Sequence, residues 1–231
     1  EFSMADSSLV SMLFGAIKNG ATLILSGDVD QLPSVGAGNV LNDLINSEKI
    51  ETYRLTSVFR QKGDSNIVTN SIAVRNGEEK LKTGKGVTII SAKSPELVIK
   101  NLTPYISRFY DKENVFNFQI LSTVKMGECG TININKLMQE ILNHENEDML
   151  ELEKESFRIG DKVMTKKNNY EAGYFNGDIG VIKDITASEI TVVINDEEVI
   201  VKSANVKDLS LAYAITTHKS QGSCLCVIAV F

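Results

Sequence analysis

No apolar run in this 231-residue chain approaches the roughly 18 residues that span a membrane, and no signal-peptide pattern opens it. A cytoplasmic location is the expectation. Cysteine is scarce. Cys129, Cys224 and Cys226 are odd in number and lack framework spacing, which argues against a disulfide scaffold and suits a reducing compartment. Cys224 and Cys226 have no third or fourth ligand nearby, so a zinc site is not expected. An excess of positive charge is also missing: Lys and Arg number 24 against 30 Asp and Glu, leaving −6. That balance counts against a broad basic face for nucleic acid, but not against a cleft that grips a strand through a few placed side chains. Finally, no segment meets the pattern of a phosphate-binding loop, which needs two glycines five positions apart and then Lys and Ser or Thr. Gly84-Lys85-Gly86 comes nearest, and fails because Gly77 is too far upstream and a glycine follows the lysine.

What is present suits a globular protein: 42% hydrophobic and 23% charged residues can build one large or two modest domains. Residues 7–19 carry Leu9, Val10, Leu13, Phe14 and Ile17 at helical spacing. Ala21 to Ser26 reads as a buried parallel strand ending at Gly27-Asp28, followed by a loop to Gly38 and a helix over 39–46. Tyr53-Arg54-Leu55 is a short strand candidate, 65–76 a helix, and Gly77 to Gly86 a turn-rich connector. A helix over 95–110, a strand over 118–121 and a helix over 130–143 repeat the α/β order. The acidic stretch 144–156 reads as a solvated linker. From Phe157 to about Ser203 the pattern changes to short β-branched runs around the hairpin signal Asn176-Gly177, which predicts a small barrel inserted in an α/β domain. The opening without Met and the strand-like run 227–231 at the end lead us to expect a piece of a longer protein.

The loop Gly27-Asp28-Val29-Asp30-Gln31-Leu32-Pro33 begins where a buried strand should end, the place where ligands collect in α/β sheets. A carboxamide such as Gln31 can accept from one group and donate to a phosphate oxygen at once. Asp28-x-Asp30 opens like a calcium loop, but position 12 would be Asn39 rather than Glu. Together with its flank through Leu41, the segment resembles helicase motif III of the RecD-like superfamily 1 DNA helicases, the exodeoxyribonuclease V alpha-chain family. Upstream, Glu1-Phe2-Ser3-Met4-Ala5-Asp6 is similar to the Walker B segment. That resemblance implies that Glu1 is the general base for the water attacking ATP and touches Mg²⁺ only indirectly, through the nucleotide. The alternative, that residues 1–2 are a cloning remnant, stays open. Leu55 to Gln61 resembles motif IV, which implies that Arg60 reaches the γ-phosphate through its guanidinium fork.

Ile120 to Thr131 is similar to the matching segment of the second motor domain, and its Gly127, Gly130 and helix start suggest a phosphate contact that includes Lys125. Phe157 to Met164, Lys166 to Tyr170 and Tyr174 to Gly180 resemble the SH3-like barrel inserted in this family. Lys166, Lys167, Asn168 and Tyr170 are then expected along a single-stranded DNA channel, although the same residues also suit a scaffolding barrel with solvated lysines. Leu211 to Ser223 resembles motif V, placing Thr216, Thr217, His218, Lys219 and Gln221 toward DNA and Gly222 toward nucleotide. The family continues with Glu and an aromatic residue; here Cys224-Leu225-Cys226 follows, which puts the ribose contact of that Glu in doubt.

The expectation is therefore an α/β protein of RecA-like motor domains, the first one partial, with an inserted SH3-like β-barrel. Its expected segments are 1–62 (end of the first motor domain), 63–156 (second motor domain), 157–204 (barrel) and 205–231 (second motor domain, continued). The resemblance implies an ATP-dependent 5′ to 3′ DNA helicase of recombination and repair, with ATP and Mg²⁺ as cofactors. Single-stranded DNA, duplex ends and other recombination subunits are the implied partners. With catalytic roles for Glu1, Gln31 and Arg60 but no phosphate loop, the chain alone is expected not to hydrolyse ATP. A conjugation-type or RNA helicase, or a non-enzymatic binding module, is the alternative.

Overall fold

The computed structural model describes residues 2–55, 65–111, 114–144, 149–151, 156–221 and 227–230, with backbone only at Ser107, 149–151 and 227–230. The chain divides into two compact units, one up to Ile89 and one from Ile90.

Among the described residues the first unit holds three α-helices: α1 (Ser7–Ala16), α2 (Val40–Asn46) and α3 (Asn66–Arg75). Asp6 caps α1 by accepting from the Leu9 amide at 2.8 Å, and Ser65 caps α3 through the Ile67 amide. The strand expected over 21–26 does not form, nor does the one at Tyr53–Leu55. A strand exists only when a neighbouring backbone completes its ladder. Among the backbone bonds of 21–26 to other elements, the Ser26 carbonyl accepts from the Phe2 amide at 2.8 Å. Leu23, Ile24 and Leu55 are accordingly exposed, while Val10, Leu41 and Ala73, one on each helix, are buried. The unit runs on to Ile89. Helix α3 and its connector pack within it, since the Asn70 amide bonds both the carbonyl and the N–H of Lys82, and Asn66 bonds Thr83 and Gly84.

The second unit begins with α4 (Pro95–Phe109), whose start follows from Ser94 as cap and Pro95 in the first turn. Next come β1 (Phe118–Ser122) and α5 (Thr131–Leu142). The expected linker 144–156 instead contributes β2 (Met149–Glu151), which pairs antiparallel with β3 (Ser156–Arg158) and sets Leu150 opposite Phe157. Two apolar positions in a run of acids suffice for a three-residue ladder, and the acidic composition hides them. Then follow β4 (Lys162–Thr165), β5 (Ile179–Ile185), β6 (Glu189–Ile194), β7 (Glu197–Lys202) and β8 (Leu209–Leu211). They form a five-stranded antiparallel sheet in the order β7-β6-β5-β4-β8, with Ile190, Val192 and Ile194 alternating into its core. The tight hairpin turn lies at Asn195-Asp196 between β6 and β7, where both residues have positive φ. Asn176-Gly177 also turns, but inside the longer loop that joins β4 to β5. The chain then returns to the α/β layer with β9 (Ala214–Thr216) and β10 (Val227–Val230), which flank β1 in a parallel sheet ordered β10-β1-β9. The small β-barrel is thus an insertion between α5 and β9 of an α/β unit, as expected, with β8 adding its edge strand beyond residue 204. Among the described residues, no helix is long and apolar enough to cross a membrane.

Candidate nucleic-acid interface

In the first unit the loop after Ser26 folds onto the segment 2–7. A Cβ on Gly27 would lie 2.8 Å from both Leu41 Cδ2 and the Ser3 backbone nitrogen, so only glycine permits this approach. Asp28 organises the turn that follows: Oδ1 accepts from the Asp30 amide at 3.0 Å, and Oδ2 accepts from Gln31 Nε2 at 3.3 Å. Ser34 donates to the carbonyls of Gly36 and Gly38, and the Ala37 carbonyl accepts from the Ser7 amide at 2.9 Å. The motif III-like loop is therefore fastened to the Walker B-like segment, with Gln31 exposed at its tip. Asp30 pairs with Arg75 at 3.0 Å, both half exposed. Glu1, Arg60 and Gly222 lie outside the described residues, as do Cys224 and Cys226, so their roles remain expectations.

In the second unit a groove of about 700 Å³ runs between α5, the start of the barrel and the segment after β9. It brings together four residues singled out from the sequence: Lys125, Lys166, Thr216 and Lys219. Lys136 on α5 adds a further cation that sequence reasoning missed. Its signal was there, since Lys136 lies on the helix that begins at the suspected phosphate loop. Glu140 is the acidic residue of the lining, and Arg158 Nη2 neutralises it at 2.6 Å. The groove wall is consequently positive although the chain is acidic overall. Lys219 Nζ lies 3.5 Å from Met164 Sδ on the groove floor.

The other expected contacts distribute unevenly. Lys167 turns away to Asp208 at 3.1 Å. Asn168 Oδ1 is engaged by the Asn176 amide at 2.8 Å and shapes the loop between β4 and β5. Tyr170 is 79% exposed and meets Phe175 edge-to-face, with ring centroids 5.7 Å apart. Phe175, itself half exposed and not anticipated, makes this a two-ring aromatic platform on the barrel. Thr217 and Gln221 are half-buried and His218 is exposed, outside the groove lining. The start of α5 differs from expectation. The Thr131 and Ile132 amides already donate to the Val124 and Lys125 carbonyls at 3.1 and 3.2 Å, because the loop curls tightly over Gly130. Two of the donors that would bind a phosphate are therefore taken. Among the described residues, no group of His, Cys, Asp and Glu is arranged to hold a metal ion.

Residues 134–196 match the family of SH3 domains from ATP-dependent RecD-like DNA helicases, and residues 1–92 match an AAA domain family. The chain is 29% identical over 223 residues to the ATP-dependent RecD2 DNA helicase of Deinococcus radiodurans, covering 96% of this chain and 30% of that protein. It is 24% identical to the RecBCD enzyme subunit RecD of Buchnera aphidicola, covering 46% of it. It therefore spans less than half the length of these relatives. A crystal structure of Bacteroides Pif1 bound to single-stranded DNA aligns with all of this chain and 62% of its own, at TM-score 0.57 and 19% identity, which shows a shared fold.

Proposed function

We propose, from the premise that this chain belongs to the RecD-like superfamily 1 helicases, that its second unit grips single-stranded DNA for an ATP-driven motor. The observation that carries the reading is the groove in which Lys125, Lys136, Lys166 and Lys219 converge from an α/β layer and an inserted barrel. Ammonium groups along one groove suit successive phosphates, and Thr216 can donate its hydroxyl to another. The Tyr170–Phe175 pair offers a face on which a base can stack, a contact that does not depend on sequence. An acidic chain with a locally basic groove favours a threaded strand over a broad duplex face.

The nucleotide side is proposed from the first unit. Gln31, on a loop fixed to the Walker B-like segment, would face the γ-phosphate, with Glu1, Arg60 and Gly222 as further contacts. ATP with Mg²⁺ would supply the energy for movement when bound. The residues of this chain fit only one edge of a triphosphate site, because the sequence has no phosphate-binding loop to complete it. In the whole enzyme we propose 5′ to 3′ translocation on DNA in recombination or repair, with other recombination subunits as companions. A conjugation-type helicase is not favoured by the barrel match.

The test is anisotropy with a fluorescent oligothymidine, competed by unlabelled DNA strand, blunt duplex and RNA strand. The proposal expects single strands to compete well and blunt duplex poorly. Duplex competing as well as single strands would overturn it. In a coupled assay with oligothymidine, the chain by itself should show no ATP turnover above blank; clear turnover would contradict the assignment of the phosphate contacts.

A further inference from the structure

A buried carboxylate beneath the groove has no part in the contacts proposed so far. Asp161 is fully buried, and its two oxygens accept four hydrogen bonds from three parts of the unit. Gln139 Nε2 and Asn143 Nδ2 come from α5, the latter at 2.8 Å; the Arg158 amide comes from β3 at 2.7 Å; the Tyr213 hydroxyl comes from the lead into β9 at 2.9 Å. No cation neutralises it in this set: the Arg158 guanidinium goes instead to Glu140 and to the Asn143 carbonyl. A buried carboxylate without a counter-charge is a poor device for stability alone, since apolar packing of the same volume would hold as well or better.

What the four bonds do provide is geometry. Two of the donors, and Asp161 itself, stand at the root of a groove wall. Gln139 lies on α5 one helical turn from Lys136. Tyr213 leads directly into β9, which ends at Thr216 just ahead of Lys219. Asp161 leads directly into β4, after which Lys166 emerges. Asn135 adds a second tie between the same parts, bonding the Leu211 carbonyl and both the N–H and the carbonyl of Ala214.

We propose that Asp161 is a positioning residue: it holds the α5, barrel and motif V walls at one spacing, so that a single strand can meet Lys136, Lys166 and Lys219 together. The proposal rests on the DNA-groove reading above. A connected set of buried hydrogen bonds has few ways to shift, so loss of one member changes the relation of the walls rather than any single cation.

The test uses Tyr213→Phe, which removes one donor and leaves three on Asp161, because variants of Asp161 itself risk unfolding. Binding of fluorescent oligothymidine is measured for the unaltered chain, Tyr213→Phe, Lys166→Ala and the double variant, with urea melts confirming that each is folded at the assay temperature. We expect Tyr213→Phe to weaken binding about five- to tenfold, the effect of roughly one lost hydrogen bond. In the Lys166→Ala background, where one wall has already lost its cation, the same change should cost less than about twofold, because pairs that act through one another are not additive. Tyr213→Phe binding like the unaltered chain, or costing the same in both backgrounds, would overturn the positioning role while leaving the DNA reading intact. Failure of the unaltered chain to bind the strand at all would sink the DNA reading, and this proposal with it.

Discussion

Lys162 gives the sharpest prediction about stability. Its ammonium is buried and donates to the Val115 and Phe118 carbonyls, both at 3.0 Å, with Phe116 at 5.8 Å from its charge. Burial brings its pKa from 10.5 to about 8. Below pH 8 the lysine is charged in both folded and unfolded chains, and the fold carries the full cost of a desolvated cation. Between pH 8 and 10.5 the unfolded chain holds the extra proton, so stability rises with pH; above 10.5 the gain is complete. At about 1.4 kcal/mol per pH unit, the rise amounts to about 3 kcal/mol. Lys162→Met has no such proton, so its stability lacks this rise. Tyr110, pushed up to about 12, and Tyr213, raised by burial beside Asp161, also titrate differently on folding, but they do so in both proteins and cancel in the difference. Near neutral pH the two should be close in stability, since relief of the buried charge offsets the two hydrogen bonds lost at the Val115 and Phe118 carbonyls. Urea unfolding of both proteins from pH 7 to 10.5 measures this. The unaltered chain should gain about 3 kcal/mol on the variant across the range. Parallel stabilities throughout would refute the reasoning and mean that the two carbonyls fully compensate the charge.

Two further predictions concern single side chains. Gly27→Ala forces a Cβ against the Ser3 backbone nitrogen, which cannot swing aside, and should destabilise the first unit by about 1–3 kcal/mol, seen as faster limited proteolysis within residues 2–55 while the second unit keeps its resistance. Tyr170→Ala and Phe175→Ala should each weaken oligothymidine binding by about 1–3 kcal/mol without altering its salt dependence, because stacking releases no counterions; an altered salt slope with unchanged affinity would contradict the stacking role.

How much of the fold the residues alone disclosed depended on whether their meaning was local. Ser94-Pro95 announces the start of α4, and β1 and α5 follow from apolar runs that carry their own period. The barrel was visible because 190–194 and 199–201 are unbroken runs of β-branched residues, the composition its strands require. The run 21–26 has the same composition as a buried strand, yet a strand is a property of its neighbours, and no ladder forms on it. Met149-Leu150 disappears among acids, and the positive-φ turn at Asn195-Asp196 lacks the glycine that usually marks one. The groove cations Lys125, Lys166 and Lys219 could be picked out by resemblance, whereas the signal at Lys136, its place on the helix after the suspected phosphate loop, is faint, because one lysine on a helix looks like solvated surface. Asp161 was the least legible. Gly160-Asp161-Lys162 reads as a polar turn, and only the fold shows that both charged side chains are buried.

The central claim, that the lysine groove takes up a single strand by its phosphates, is met most directly by the salt dependence of oligothymidine affinity. Four lysines on four phosphates predict a slope of log K against log salt near about −2.8, or about a fifty-fold loss between roughly 50 and 200 mM. The double variant Lys166→Ala with Lys219→Ala should halve that slope, leaving a loss of about sevenfold. Affinity that is indifferent to salt, or a double variant with the slope of the unaltered chain, would contradict the account.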